Sequence, residues 1–272
     1  MGSRWTLDDI PWHRFDPDAV DPGVLAMVKA AAMVEANAAD YVDYLHRVFS
    51  DDDTLKAAIS LWGEEEAQHG AALGRWAELA DPSFSFSDSL ARFRENFRIP
   101  AGLDGSVRGS RSGELIARCV VECGTSSFYS AIRDDTDEPV LRAICHRIAG
   151  DEFRHYKLFR QQYRRYSERH PLSALERVKV AAGRIFEAED EELALAWYCS
   201  NQPKEPFDRR RHSAAYGTRA VRVYRFEHVA RALRMIFKAC GFNAQGQAVI
   251  WSARLAWGGL RLRGWWLHRY AT

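Results

Sequence analysis

No stretch of this 272-residue chain reaches the roughly 18 uncharged apolar residues that a membrane-crossing helix needs. Even the most apolar run, Ala248 to Trp266, is interrupted by Arg254, Arg261 and Arg263. The first fifteen residues hold no apolar run of secretory type, so no leader is expected and a cytoplasmic protein is. The five cysteines (Cys119, Cys123, Cys145, Cys199, Cys240) include no C-x-x-C pair. That argues against a zinc ribbon or a disulfide framework and assigns them to the core of a protein kept in reducing surroundings. An excess of one charge is missing too: 38 Lys and Arg against 37 Asp and Glu leave +1, which does not indicate a globally basic nucleic-acid binder. With 47% hydrophobic and 28% charged residues, a disordered or fibrous chain is excluded.

Proline is absent between Val24 and Leu79, which makes that region helical by default. Val24, Val28, Ala31, Glu35, Ala38, Val42, Leu45 and Phe49 then fall on one seam with a carboxylate at its centre. Ser50 to Asp53 supplies a turn and N-cap. The next seam reads Leu55, Ile59, Trp62, Glu66, His69, Leu73 and Trp76. Residues 81–112 are loop-rich, with a short helix around Leu90 to Phe97, and have the length of a crossover connection in a four-helix bundle. A third long helix is predicted from about Ser112 to Arg133, with Leu115, Glu122, Thr125, Tyr129 and Ile132 on one stripe. A fourth is predicted from Glu138, with Pro139 in its first turn, to about His170, along Leu141, Cys145, Ile148, Glu152, His155 and Phe159. One fifth helix is read from Ala174 to Ser200, its acidic run (Glu187, Glu189, Asp190, Glu191, Glu192) forming a solvated face, and two more within 213–239 and 243–266. No β pattern is found. The expectation is an all-α protein: a domain over 1–205 with its core bundle at about 22–170, and a basic, Trp-rich helical extension over 206–272.

Of nine histidines, two follow a Glu by three positions, in Glu66-x-x-His69 and Glu152-x-x-His155. Each pair trails a seam-centred Glu by a similar interval, 31 residues from Glu35 to Glu66 and 30 from Glu122 to Glu152. The two halves repeat at offsets of 87 (Glu35 to Glu122) and 86 (Glu66 to Glu152), the mark of an internal repeat of helix pairs. Residues i and i+3 share a helix face, so each Glu-x-x-His can present both side chains to an ion between helices. Glu35, Glu66, His69, Glu122, Glu152 and His155 thus form the ligand inventory of a dinuclear carboxylate site in a ferritin-like bundle. Two divalent ions would balance four carboxylates that are otherwise costly to bury, and mixed oxygen and imidazole donors suit Fe or Mn.

The chain resembles the ferritin-like di-iron proteins, and among them the soluble acyl-carrier-protein desaturases. Trp62-Gly63-Glu64-Glu65-Glu66-Ala67-Gln68-His69-Gly70 is similar to their W-x-x-E-E-x-R-H-G helix, Asp151-Glu152-Phe153-Arg154-His155 to their D-E-x-R-H, and Glu122-Cys123-Gly124-Thr125 to their E-x-x-T. The resemblance covers roughly residues 24–165; Gln68 stands where the desaturases carry Arg, and the chain is much shorter than theirs.

This resemblance implies that Glu66 and Glu152 bridge two irons, or an Mn/Fe pair, while Glu35 and Glu122 each chelate one. It implies that Thr125 faces the oxygen-binding side and that Trp62 and Asp151 form an outer layer hydrogen-bonded to His69. The implied activity is an O₂-dependent di-iron oxidase acting on an apolar small molecule or carrier-bound acyl group, by desaturation, hydroxylation or N-oxygenation. It would require an external, ferredoxin-like electron donor, and a homodimer is expected. Two alternatives share the ligand set: a non-catalytic iron-binding or ferroxidase protein, and a tRNA-modifying hydroxylase. The second would need a basic face, for which Arg160, Arg164, Arg165 and Arg169, or Arg209 to Arg211, are candidates.

After Glu227 the chain has no acidic residue, while Arg231, Arg234, Lys238, Arg254, Arg261, Arg263 and Arg269 follow. Four of the nine tryptophans (Trp251, Trp257, Trp265, Trp266) fall near the end. Arg with Trp on a helix fits a peripheral contact with a membrane surface or an acidic protein, and equally a last helix packed on the bundle.

Overall fold

The structure, a computed structural model, describes residues 4–97, 105–187 and 191–271. Among them are eleven α-helices and no strand: α1 (Pro22–Ala36), α2 (Ala38–Val48), α3 (Asp53–Ala80), α4 (Phe86–Asn96), α5 (Arg111–Asp135), α6 (Pro139–Ser167), α7 (Ala174–Glu187), α8 (Glu191–Asn201), α9 (Arg209–Val223), α10 (Phe226–Ala239) and α11 (Gln247–Ala271). The expected all-α class holds. No helix among the described residues is long and apolar enough to cross a membrane.

Local chemistry sets the starts of the long helices. Asp21, Asp52 and Ser110 accept hydrogen bonds from the amides of Val24, Leu55 and Gly113, at 2.9, 3.0 and 3.0 Å, each satisfying a donor that has no partner inside the helix. Glu138 caps α6 through the amides of Val140 and Leu141, with Pro139 in the first turn. The same buried carboxylate accepts from the Trp76 indole at 2.6 Å, tying the start of α6 to α3.

Two of the expected single helices are divided. The seam from Val24 to Phe49 is carried by α1 and α2, which bend at Asn37. At the bend, Ala36 presses against Gly70 of α3 so closely that a Cβ on residue 70 would lie 2.6 Å from the Ala36 amide nitrogen. The stretch read as one helix from Ala174 to Ser200 is α7 and α8, which pack in different places, α7 on α5 and α8 on α1, α4 and α9. The acidic run there is no uniform solvated face. Glu187 pairs with Arg108 at 2.5 Å, and Glu192 is buried and accepts from the Tyr41 hydroxyl at 2.7 Å. Glu191 is exposed; Glu189 and Asp190 lie outside the described residues.

Apolar residues gather in two cores. One joins α1, the second half of α3 and the first half of α6, around Met27, Met33, Leu73, Trp76, Ile144 and Ile148. The other joins α2, the first half of α3, the first half of α5 and the second half of α6, around Leu45, Phe49, Ile59, Leu115, Tyr156 and Phe159. Each fully buried large side chain contributes on the order of 1.5–3 kcal/mol. Glu35, Glu66, Glu122 and Glu152 occupy the positions in α1, α3, α5 and α6 where one core gives way to the other. The C-terminal helices contribute to both cores, through Val223 to the first and Met235, Ala239 and Cys240 to the second. All five cysteines are buried and unpaired.

Candidate metal centre

Four helices bring the six expected residues together. Glu35, Glu66, His69 and Glu152 offer ligand atoms that all lie within 4.8 Å of one another, and so do Glu66, Glu122, Glu152 and His155. Glu66 and Glu152 belong to both groups, whereas Glu35 and Glu122 each belong to one. All six residues are buried, His69 completely. His69 Nδ1 is 3.2 Å from Glu152 Oε1 and 3.7 Å from Glu35 Oε2. His155 Nδ1 is 3.0 Å from Glu66 Oε1 and 3.5 Å from Glu122 Oε2.

Several of the inward-facing atoms are orphans. Both Nδ1 atoms, both oxygens of Glu122 and Glu152 Oε1 are buried without a hydrogen-bond partner. A fully buried polar atom without a partner is expensive, and here five such atoms converge on one centre. The outward nitrogens are satisfied: His69 Nε2 lies 3.0 Å from Asp151 Oδ2, and His155 Nε2 lies 2.7 Å from Glu65 Oε2. An ionised carboxylate can only accept, so each Nε2 carries the proton and, in the neutral ring, each Nδ1 turns its lone pair inward. That is a donor set that could hold a metal ion.

Without a cation the charges conflict. Burial, and then the charge of Glu66, pushes Glu35 up to about 8. Burial likewise drives Glu122 well above the carboxylate range and raises Glu152. Burial also acts to raise Glu66, but the adjacent His155 and His69 outweigh it and hold that carboxyl well below its usual range. Burial opposes charge on both imidazoles, yet Asp151 and Glu152 around His69, and Glu122 and Glu65 around His155, lift each well above the ordinary histidine value. The metal-free centre is therefore a reservoir of protons that bound cations would displace.

The outer layer differs from expectation in one member. Asp151 holds His69 as expected, but Trp62 does not join it. The Trp62 indole stands edge-on to His155 and Phe159, at 6.5 and 5.7 Å, and its Nε1 has no partner. Two helical turns separate Trp62 from His69 along α3, which places the indole beside the other imidazole. The bond to Asp151 comes instead from Trp5, whose Nε1 donates to Asp151 Oδ2 at 2.7 Å and whose ring stacks on His69 at 6.0 Å. Gln68 donates to the Trp5 carbonyl at 3.0 Å, so the residue that departs from the desaturase pattern fixes the segment that brings Trp5 in. Arg154 pairs with Asp151, and Arg4 with Glu65 at 2.7 Å.

Glu65 was not anticipated, yet the repeat contains it. The offset of 86 that relates Glu66 to Glu152 also relates Glu65 to Asp151. The acid just before each Glu-x-x-His thus reaches across to orient the histidine of the other helix. Trp5 had no such signal, because no periodicity connects it to the bundle.

Thr125 Oγ1 lies 2.5 Å from Glu152 Oε2 and 3.2 and 3.3 Å from the carbonyls of Val121 and Glu122. Tyr129, on the same face of α5, donates to Glu35 Oε1 at 2.5 Å. Both hydroxyls line an apolar cavity of about 360 Å³, together with Phe128, Tyr216, Tyr224 and Ile236. A smaller chamber of about 80 Å³, touching Glu35, Glu66, Glu122 and Glu152, shares Val34, Glu35, Val121, Thr125, Arg184 and Glu192 with that cavity. An apolar space thus adjoins the carboxylates. Compared with known proteins, the chain matches no protein-family model and no curated protein.

Proposed function

We propose that the protein is an O₂-dependent dinuclear iron oxidase acting on an apolar substrate, in a ferritin-like bundle. The observation that carries this reading is the pair of overlapping ligand groups with Glu66 and Glu152 in common, set beside an apolar cavity. Glu35, Glu66, His69 and Glu152 would hold one ion, and Glu66, Glu122, Glu152 and His155 the other, as two irons or an Mn/Fe pair. When bound, such a centre supplies O₂ activation for attack on an unactivated C–H or N–H bond.

The chain's own residues provide the rest. Phe128, Tyr216, Tyr224 and Ile236 shape a space that would exclude water and orient an apolar group. Thr125 holds a proton at Oγ1 between Glu152 and the cavity, and Tyr129 holds one against Glu35. Trp5, Asp151 and His69 form a bonded chain from a surface depression lined by Arg4, Glu64 and Arg154 to the centre, a route and docking place for a ferredoxin-like donor. A storage or ferroxidase protein has no use for the apolar cavity. Of the arginines a tRNA-binding face would use, Arg165 and Arg211 are paired with Asp52 and Glu205.

The test is metal analysis of protein produced with iron, followed by O₂ uptake after anaerobic reduction. Two irons per chain and O₂ uptake coupled to oxidation of an added apolar compound are expected. One iron or none would overturn the dinuclear reading, and uptake that only deposits ferric mineral would make the protein a ferroxidase.

A further inference from the structure

Arg118 lies one turn before Glu122 on α5 and is 6% exposed. Its Nε is buried without a partner, and Glu114 Oε1 stands 3.8 Å away, beyond hydrogen-bond reach. The other oxygen of Glu114, Oε2, accepts from the Tyr44 and Ser106 hydroxyls at 2.7 and 2.8 Å, which holds this carboxylate toward α2 and the start of α5. The Tyr41 ring lies 5.2 Å from the guanidinium carbon and can cover its face but accept none of its in-plane donors. A buried guanidinium with five donors normally finds acceptors. This one lines the 80 Å³ chamber together with Glu66, Glu122 and Glu152, and that chamber shares a wall with the apolar cavity.

We propose that Arg118 anchors the free carboxylate of the substrate, and that the substrate is a monocarboxylic acid whose apolar chain fills the cavity. The planar fork of arginine matches a carboxylate bidentately, and of the two arginines that line the chamber, Arg118 and Arg184, Arg118 is the more deeply buried. A carrier-bound acyl thioester has no carboxylate to offer, so this assignment departs from the substrate class the desaturase resemblance implies. It rests on the cavity's being the substrate site.

The test measures binding of decanoate and of decan-1-ol to the metal-loaded protein by calorimetry, with metal content determined in every sample. The intact protein should prefer the acid by about tenfold or more, as a charge-assisted bond implies. Arg118→Gln should lose that preference while keeping its metal and its affinity for the alcohol. Arg118→Lys, which keeps the charge without the fork, should retain part of the preference. Equal binding of acid and alcohol by the intact protein would overturn the proposal, as would a preference that survives in Arg118→Gln, which would assign the carboxylate to the metal ions or to Arg184. If the intact protein bound no metal yet showed the Arg118-dependent preference, the dinuclear reading would fall and the anchor would stand.

A second observation stands apart from the site. The face of α11 formed by Val249, Ala253 and Gly264 is turned inward, the first two being buried and Gly264 meeting Val221 of α9 so closely that a Cβ would come within 2.8 Å. The opposite face, at spacings of three and four, carries Trp251, Leu255, Leu262, Trp265 and Trp266, with Leu255 76% and Trp251 59% exposed. Arg254 and Arg261 flank it, also exposed, and α11 holds no acidic residue. We infer that this face docks on an anionic lipid surface, where indoles and leucines enter the interface and arginines meet the headgroups. A second copy of the chain would set these arginines against one another with no carboxylate on either helix. In co-sedimentation, the full chain should bind vesicles rich in phosphatidylglycerol, bind pure phosphatidylcholine at least about tenfold more weakly, and release as salt rises. Leu255→Asp with Leu262→Asp, both at exposed positions, should abolish binding without changing metal content. Absence of vesicle binding, binding unaffected by the double substitution, or a dimer that the double substitution dissociates would each overturn the inference.

Discussion

The two imidazoles at the centre are oriented by the same device in unlike surroundings. His69 is held by Asp151, roofed by Trp5 and fully buried, and the carboxylate that serves only its group, Glu35, accepts from Tyr129. His155 is held by Glu65, with Trp62 beside it, and Glu122 has no hydrogen-bond donor on either oxygen. The carboxylate particular to the first half is thus fixed by a hydrogen bond before any ion arrives, whereas the one particular to the second is not. A preorganised donor set binds with less ordering cost, so the His69 half should fill first and hold its ion longer.

The harshest way to break the comparison is to remove what the halves have in common. Glu152→Ala should empty both positions, since Glu152 belongs to both ligand groups, while Glu35→Ala should leave the His155 position able to bind. Metal stoichiometry after gel filtration distinguishes near zero from near one ion per chain. Equal losses in the two variants would show that the groups do not act as two sites.

The outer carboxylates give a smaller and more selective effect. Loss of such an orienting partner typically weakens metal affinity about 10–100-fold. Asp151→Asn should therefore weaken the His69 position, and Glu65→Gln the His155 position, each leaving the other within a few-fold. Competition with a chelator, read with a metal that reports its ligand field, follows the two positions separately. If both substitutions weakened the same position, the cross-helix pairing would be wrong.

If the centre binds metal, removing the ions should reverse the pH response. Between about pH 4.5 and 8 the folded, metal-free chain retains the Glu35 proton that the unfolded chain has released. Above about pH 6.5 it also retains imidazole protons on His69 and His155. The folded state then binds more protons than the unfolded state, so stability falls as pH rises across this window. With metal bound, proton release favours loading at higher pH, and the slope should flatten or change sign. Melting temperatures of the two forms at pH 5 and pH 8 provide the check; parallel slopes would mean that these protons are not displaced by metal.

The candidate metal-binding face was legible in the sequence because it is written in helical periodicity and in a repeat. All six candidate ligands lie on apolar seams, and an apolar seam with a carboxylate at its centre is informative only if that carboxylate is buried, as all four are. Glu65 was legible by the same offset but is hidden in a run of three glutamates, where a solvated face is the ordinary reading. The bend at Asn37 and the separation of α7 from α8 were not legible, since both depend on what the chain packs against. Trp5 belongs to a segment of short turns whose position is set by distant bonds, from Gln68 to its carbonyl and from Arg147 to the Asp9 carbonyl at 3.0 Å. Such contacts leave no periodic trace.

Trp5 and Trp62 make the finest comparison, because both indoles lie beside the centre and differ in one hydrogen bond. In Trp5→Phe the ring can still stack on His69, but Asp151 loses a donor at 2.7 Å. A buried bond to a charged acceptor contributes roughly 1.5–3 kcal/mol, so the chain should be destabilised by about that much. Electron delivery to the centre should slow if it follows Trp5 and Asp151. In Trp62→Phe the lost N–H has no partner to leave behind. Removing a buried, unsatisfied donor offsets part of the cost of the smaller ring, a cost that Trp5→Phe incurs as well without the offset. Chemical denaturation of the two metal-loaded variants, with reduction of the centre followed by stopped-flow absorbance, should therefore rank Trp5→Phe as the more damaging on both counts. The opposite ranking would return the outer layer to Trp62 and reduce Trp5 to a cover over His69.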